Sequence, residues 1–196
     1  MFNKMFFLVL FLGIINHQSL FAQQIPAQLL ILKQEQFPLP NRKFYIQKIV
    51  CDFNQPKYFL TRRGIFNKQR TITFGDSLQK VLMRYIKPSN TYRAGLVPIT
   101  IRIKELKIRE QRHFLNEEGM AKIVMDFYVE TDYKPLRLFH TDASRIYTGF
   151  MNISAEHEEN FREIVKSCLL DFNNAKVDYS KFVIPNKIFK AKHTPY

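Results

Sequence analysis

The chain has 196 residues, 30 Lys and Arg against 17 Asp and Glu, and two cysteines, for a formal net charge of +13. At 46% hydrophobic and 24% charged residues it is apolar enough to fold, which excludes a disordered or collagen-like chain. Two cysteines supply neither a disulfide framework nor a four-ligand zinc site.

Residues 1–22 have the layout of a secretory signal peptide. Lys4 gives a positive start, Met5 to Ile15 form an apolar run, and Ala22 supplies the small residue before the expected cleavage point. The apolar run is short against the roughly 20 residues that cross a bilayer. The expected mature chain begins near Gln23 and is exported, periplasmic or extracellular, with no transmembrane segment. Export argues against nucleic acid as the partner despite the basic charge.

Residues 23–42 carry Pro26, Pro38 and Pro40 around the apolar island Leu29–Leu32, and read as an extended leader that lays one segment on the body. The folded domain is expected over 43–175. Lys43 to Val50 alternates as a strand, and Tyr58–Thr61 and Thr71–Phe74 are shorter strands parted by an Arg62-Arg63-Gly64 turn. Leu78, Val81, Leu82, Tyr85 and Ile86 share one face of a helix that Asp76 is placed to cap and Pro88 ends.

Val97, Ile99, Ile101 and Ile103 alternate with polar residues, but Leu106 and Ile108 stand one position out of phase. A β-bulge near Lys104–Glu105 restores the alignment and puts Arg102, Lys104, Lys107 and Arg109 on one polar face. Ala121 to Val129 alternates again after an Asn116–Gly119 turn, predicting a long antiparallel hairpin. Leu136–His140 and Arg145–Phe150 read as further strand pieces. The second helix spans Ser154 to Asn173 with the stripe Phe161, Ile164, Val165, Cys168, Leu169 and Phe172; Ser154 is its expected cap, and Glu156, Glu158 and Glu159 suit its positive end. A basic, aromatic tail follows over 176–196. These elements predict an α+β two-layer sandwich, mainly antiparallel, with two amphipathic helices on one sheet face.

No catalytic signature assembles. His157-Glu158 lacks a second histidine at i+4, where Phe161 stands, so zinc is not expected. His113, His140 and His157 form an acid–base site only if the fold brings them to Glu117, Glu118 or Asp142. No nucleophile elbow or phosphate loop is present, and no cofactor is expected. In an oxidising compartment Cys51 and Cys168 are candidates for a disulfide, with two separately buried thiols as the alternative.

The charge is uneven. Arg42 to Arg112 holds 17 basic residues against Asp52, Asp76, Glu105 and Glu110, while His113 to Ala175 is net acidic and the tail is basic again. The candidate surface for an anionic partner is Arg102, Lys104, Lys107 and Arg109 with Lys181, Lys187, Lys190 and Lys192 of the tail. Asp126 and Glu130 on the neighbouring strand are the acids expected to neutralise the hairpin cations.

The exported start, the strand ITIRIKELKIRE followed by AKIVMDFYVE, and the closing helix HEENFREIVKSCLLDF together resemble small periplasmic accessory proteins of the YajG-like and TolB N-terminal-like kinds. The resemblance covers about residues 68–173, lacks the lipid-bearing cysteine common among such proteins, and carries no catalytic residue. With the exported start and the uneven charge, the expected function is a non-catalytic accessory module that binds an envelope protein through its basic surface; the alternatives are electrostatic binding to anionic membrane or lipopolysaccharide, and a hydrolase built on dispersed His and Glu residues.

Overall fold

The computed structural model describes residues 27–53, 59–63, 68–113, 116–149 and 153–182. The expected signal peptide, and Lys187, Lys190 and Lys192 of the tail, lie outside them.

Among the described residues, seven strands and two α-helices make an α+β fold. The strands are β1 (Gln28–Leu29), β2 (Phe44–Cys51), β3 (Phe59–Arg63), β4 (Lys68–Thr73), β5 (Val97–Arg112), β6 (Glu117–Val129) and β7 (Leu136–Gly149); the helices are α1 (Leu78–Ile86) and α2 (Glu156–Asn174). Four strands form the main sheet in the order β2-β5-β6-β7, and β1-β4-β3 form a second, smaller sheet whose strand β3 packs beside β5.

The long hairpin and its bulge are as the alternation predicts. β5 and β6 pair antiparallel, with the register shifting between Ile103 and Glu105. Both apolar runs of β5 therefore face inward, from Val97 to Ile103 and again at Leu106 and Ile108. Glu117 to Gly119 belong to β6 rather than to the turn, and the two pieces expected after residue 136 are one continuous strand, β7.

The sheet is mixed, which corrects the mainly antiparallel expectation at its β2 edge. β2 runs parallel to β5, from Phe44 opposite Val97 to Cys51 opposite Ile103. A parallel pair needs a long crossover, and here β3, β4 and α1 lie between the two strands. Alternation looks the same in either direction, so it could not give the orientation. Arg62 and Arg63 are in β3 and not in a turn, and β3 and β4 pair outside the main sheet.

Both helices lie on the inner face. Leu78, Val81, Leu82, Tyr85 and Ile86 of α1 are buried, α1 packs beside β2, and α2 packs on β6 and β7. The Tyr85 hydroxyl donates to the Arg162 carbonyl at 3.4 Å, tying the helices together. Under α2, Phe172 stacks on Phe127 with ring centres 4.1 Å apart and meets Phe44 at 4.6 Å. The expected caps are each displaced by one residue. Ser77 stands at the N-cap position of α1, with Asp76 accepting its N–H at 2.7 Å and pairing with Arg84 at 3.0 Å, while Ala155 stands at that of α2 after a 3-10 turn that contains Ser154; neither makes a side-chain cap hydrogen bond.

The leader contributes to the core. Leu30, Leu32 and Phe37 are buried, Leu29 and Ile31 face out, and Glu35 pairs with Arg162 at 2.7 Å and Lys166 at 3.4 Å. Asn90 closes part of the free edge of β2: its Oδ1 accepts the Ile46 N–H and its Nδ2 donates to the Ile46 carbonyl, both at 2.7 Å. No helix among the described residues is long and apolar enough to cross a membrane.

Candidate functional site

The bulge does put the four hairpin cations on the outer face of the sheet, but three of them meet acids. Arg102 and Lys104 reach Asp52 at 3.7 and 2.8 Å, and Arg102 also lies 4.9 Å over the Tyr128 ring. The Asp52 hydrogen bond holds the Lys104 ammonium above its ordinary pKa. Lys107 and Lys122 share Glu105, whose carboxyl is held below its usual range by the Lys107 hydrogen bond. Arg109 has no ion pair among the described residues.

The acids that cancel this face are not the expected ones. Asp126 stands opposite Arg102 in register but is buried and engaged by β7, with His140 at 2.5 Å and Arg137 at 3.6 Å. Glu130 takes the Thr100 hydroxyl at 3.2 Å. Asp52 does the neutralising instead, because the parallel pairing of β2 carries the end of that strand alongside Ile103.

A second group of cations, which the segment count contained but did not single out, gathers where β2 and β5 begin. A cavity of about 490 Å³ is lined there by Arg42, Lys43, Gly95, Leu96, Asp178 and Tyr179. An adjoining one of about 350 Å³ shares Lys43 and Tyr179 and adds Lys176. The Val97 N–H donates to the Lys43 carbonyl at 3.0 Å, which ties the two strand starts. Gly95 has φ +84° with open space above it, so the backbone turns here without a side chain covering the groove. The Arg42 guanidinium donates to the carbonyls of Ser89 and Thr91, and its pKa is lowered by partial burial and by Arg93 nearby. Lys43 and Lys176 have no ion pair among the described residues, and the one carboxylate of the groove, Asp178, is already held by Ser180 and Lys181. Lys181 is thus partly neutralised, although it belongs to the predicted surface. The arrangement suits an anionic group held by charge.

The three histidines do not converge. His113 approaches Glu118 at 4.0 Å, His140 binds Asp126, and His157 is buried between Glu110 and Tyr147. None of them lines either cavity. In the buried cluster His157 Nε2 lies 2.5 Å from Glu110 Oε1 while its Nδ1 meets the Tyr147 hydroxyl; burial and the nearby Glu110 push the Tyr147 phenol pKa well up. This polar cluster joins β5, β7 and the first turn of α2 inside the core. Among the described residues no group of three or more His, Cys, Asp or Glu is placed to hold a metal ion.

No disulfide joins Cys51 to Cys168. Cys168 is fully buried on α2, and desolvation pushes its thiol pKa up to about 12.

No family model and no curated protein matches the chain. Among solved structures the chain is similar to protein XCC0632 from Xanthomonas campestris, of the family model DUF330, at 11% identity and a TM-score of 0.42; the match covers 75% of this chain and 93% of that one.

Proposed function

We propose that this chain is an exported, non-catalytic binding module that engages an anionic component of the cell envelope through the basic groove where β2 and β5 begin. The observation that carries the reading is the contrast between two sets of cations. Arg102, Lys104 and Lys107 each face an acid at the hairpin, whereas Lys43 and Lys176 have no ion pair among the described residues and the one carboxylate of their groove, Asp178, is held by Ser180 and Lys181. A charge already matched inside the protein gains little by meeting an external anion, because the new contact replaces an existing one. Export is supported by the signal-like start of residues 1–22, and binding rather than turnover is supported by the three histidines standing apart from one another and away from the groove.

The test compares two triple variants for sedimentation with a bacterial envelope fraction. Lys43→Gln/Arg93→Gln/Lys176→Gln is expected to weaken association by about tenfold or more, while Arg102→Gln/Lys104→Gln/Lys107→Gln changes it by less than about threefold. Equal losses in both would overturn the assignment to the groove. Amino-terminal sequencing of the exported protein checks the address: the expected first residue is Gln23, and an intact Met1 would refute it.

A further inference from the structure

The groove lies at one end of the main sheet, and that end carries more than cations. Phe44 stands opposite Val97, Thr100 opposite Tyr128, and Val129 opposite Leu136. The Thr131–Pro135 turn between β6 and β7 therefore falls at the same end as the starts of β2 and β5. The carboxyl end of α2 arrives there too, with Asn173 Nδ2 donating to the Pro40 carbonyl at 3.0 Å.

Two tyrosines stand out from this end. Tyr133 is 98% exposed and Tyr92 63% exposed. Neither sits on a loose tip. The Thr131 hydroxyl accepts the N–H groups of Tyr133 and Lys134 and donates to the Lys134 carbonyl at 2.7 Å, which closes the turn. The Tyr92 ring rests edge-on against Tyr45 with centres 5.0 Å apart. Around them lie Arg42, Lys43, Arg93, Lys134, Lys176 and Lys181; the carboxylates there are Glu130, Asp132 and Asp178, and both Glu130 and Asp178 already accept hydrogen bonds from within the protein. The opposite end of the sheet is mixed in sign, with Glu117 and Glu118 opening β6 and Glu156, Glu158 and Glu159 opening α2, beside Arg109 and Arg112 at the end of β5.

We infer that this basic, tyrosine-bearing end docks the protein on an anionic lipid bilayer, so that the sheet stands on end with the start of β6 and of α2 pointing away. The inference rests on the anionic-partner reading above and narrows it to one partner. Lys and Arg next to an anionic leaflet each strengthen binding roughly fivefold, and they need no shape complementarity to do so. Tyrosine favours the headgroup zone, where its ring is shielded and its hydroxyl stays wet. Tyr92 beside β2 and Tyr133 beside β7 are separated by nearly the width of the sheet, on the order of 12 Å across the strands. They flank the cations instead of forming one pocket, which matches a flat surface better than the clustered anchors of a protein interface.

The chain contains no tryptophan, so Tyr133→Trp places a single, selectively excited tryptophan at the docking end. Ile146→Trp, at a 64% exposed position on the outer face of the sheet, provides the control. The probes are vesicles of phosphatidylglycerol and phosphatidylcholine at roughly 3:7, against phosphatidylcholine alone. The expected result is sedimentation with the anionic vesicles that falls steeply with salt, and a blue-shifted, iodide-shielded emission for Tyr133→Trp but not for Ile146→Trp. Unchanged Tyr133→Trp emission on anionic vesicles, or equal binding to phosphatidylcholine alone, would overturn the docking. The two readings fail separately. If the Lys43→Gln/Arg93→Gln/Lys176→Gln protein loses the envelope fraction while the unmodified chain ignores vesicles, lipid docking is refuted and the anionic-partner reading stands.

Discussion

Gly119 on β6 offers a sharp test of the buried polar cluster. It lies opposite Tyr147 of β7, and the tyrosine ring occupies the space a side chain would need. A methyl group at position 119 would stand 2.2 Å from Tyr147 Cε2, 2.4 Å from its Cζ and 2.9 Å from Ile153 Cδ1. Carbon atoms rest about 3.5 to 4.0 Å apart, so the ring must move by more than about 1 Å. It cannot do so freely, because its hydroxyl is bound to His157, which is bound in turn to Glu110 inside the core. Overpacking of this kind costs about 1–3 kcal/mol, and a displaced hydroxyl that leaves its buried partner unsatisfied adds about 1–3 more. Against this, alanine restricts the unfolded chain and returns about 0.5 kcal/mol. Gly119→Ala is therefore expected to lower stability by about 3 kcal/mol, read from urea unfolding. In a Tyr147→Ala background the ring is gone and only the flexible end of Ile153 must shift, so the same substitution should cost no more than about 1 kcal/mol. Tyr147→Phe keeps the ring but frees it from His157, so the cost there should be intermediate. An equal cost of Gly119→Ala in all three backgrounds would refute the reasoning.

Three further outcomes follow from individual contacts. Asn90→Ala removes both hydrogen bonds to the Ile46 peptide and should cost about 1–3 kcal/mol in chemical unfolding, while Asn90→Asp should cost at least as much, since a carboxylate would face the Ile46 carbonyl. Cys168, with its thiol pKa near 12 and its sulfur shielded, should resist maleimide at neutral pH and react once urea unfolds the chain; fast labelling of Cys168 in the native protein, located by peptide mapping, would contradict its burial. Burial raises the phenols of Tyr85, Tyr147 and Tyr179 above their ordinary value, with Tyr179 up to about 12. The unfolded chain then loses these protons first, so stability should fall as pH rises from about 10 towards 12, and a urea midpoint that stays flat across that window would refute the assignment.

The sequence carried those parts of the fold that leave a local period. The phase slip between Ile103 and Leu106 located a bulge, and the stripe from Phe161 to Phe172 located the face that α2 buries. Strand partnership has no such signature. Phe44 to Cys51 alternate in the same way whether their neighbour runs parallel or antiparallel, and this choice decides that Asp52 lands beside Arg102 and Lys104. His157 was legible in part: it stands four residues before Phe161 and so extends the buried stripe by one turn, but the surrounding glutamates gave it the look of an exposed helix start. The basic groove was hidden because Arg42 and Lys43 are far in the chain from Lys176 and come together through the pairing of β2 with β5 and the return of α2.

The two edges of the main sheet are unequal. At β2 the Asn90 amide imitates a neighbouring peptide unit at Ile46, and the irregular register between Ile46 and Lys48 interrupts the straight run an incoming strand would follow. At β7 no strand among the described residues pairs with the outer side. A head-to-tail filament would need β7 of one copy to add to β2 of the next, and the β2 edge is poorly suited to accept it. Any growth through this sheet would instead join β7 to β7 about a two-fold axis, which uses up both reactive edges and ends at two copies.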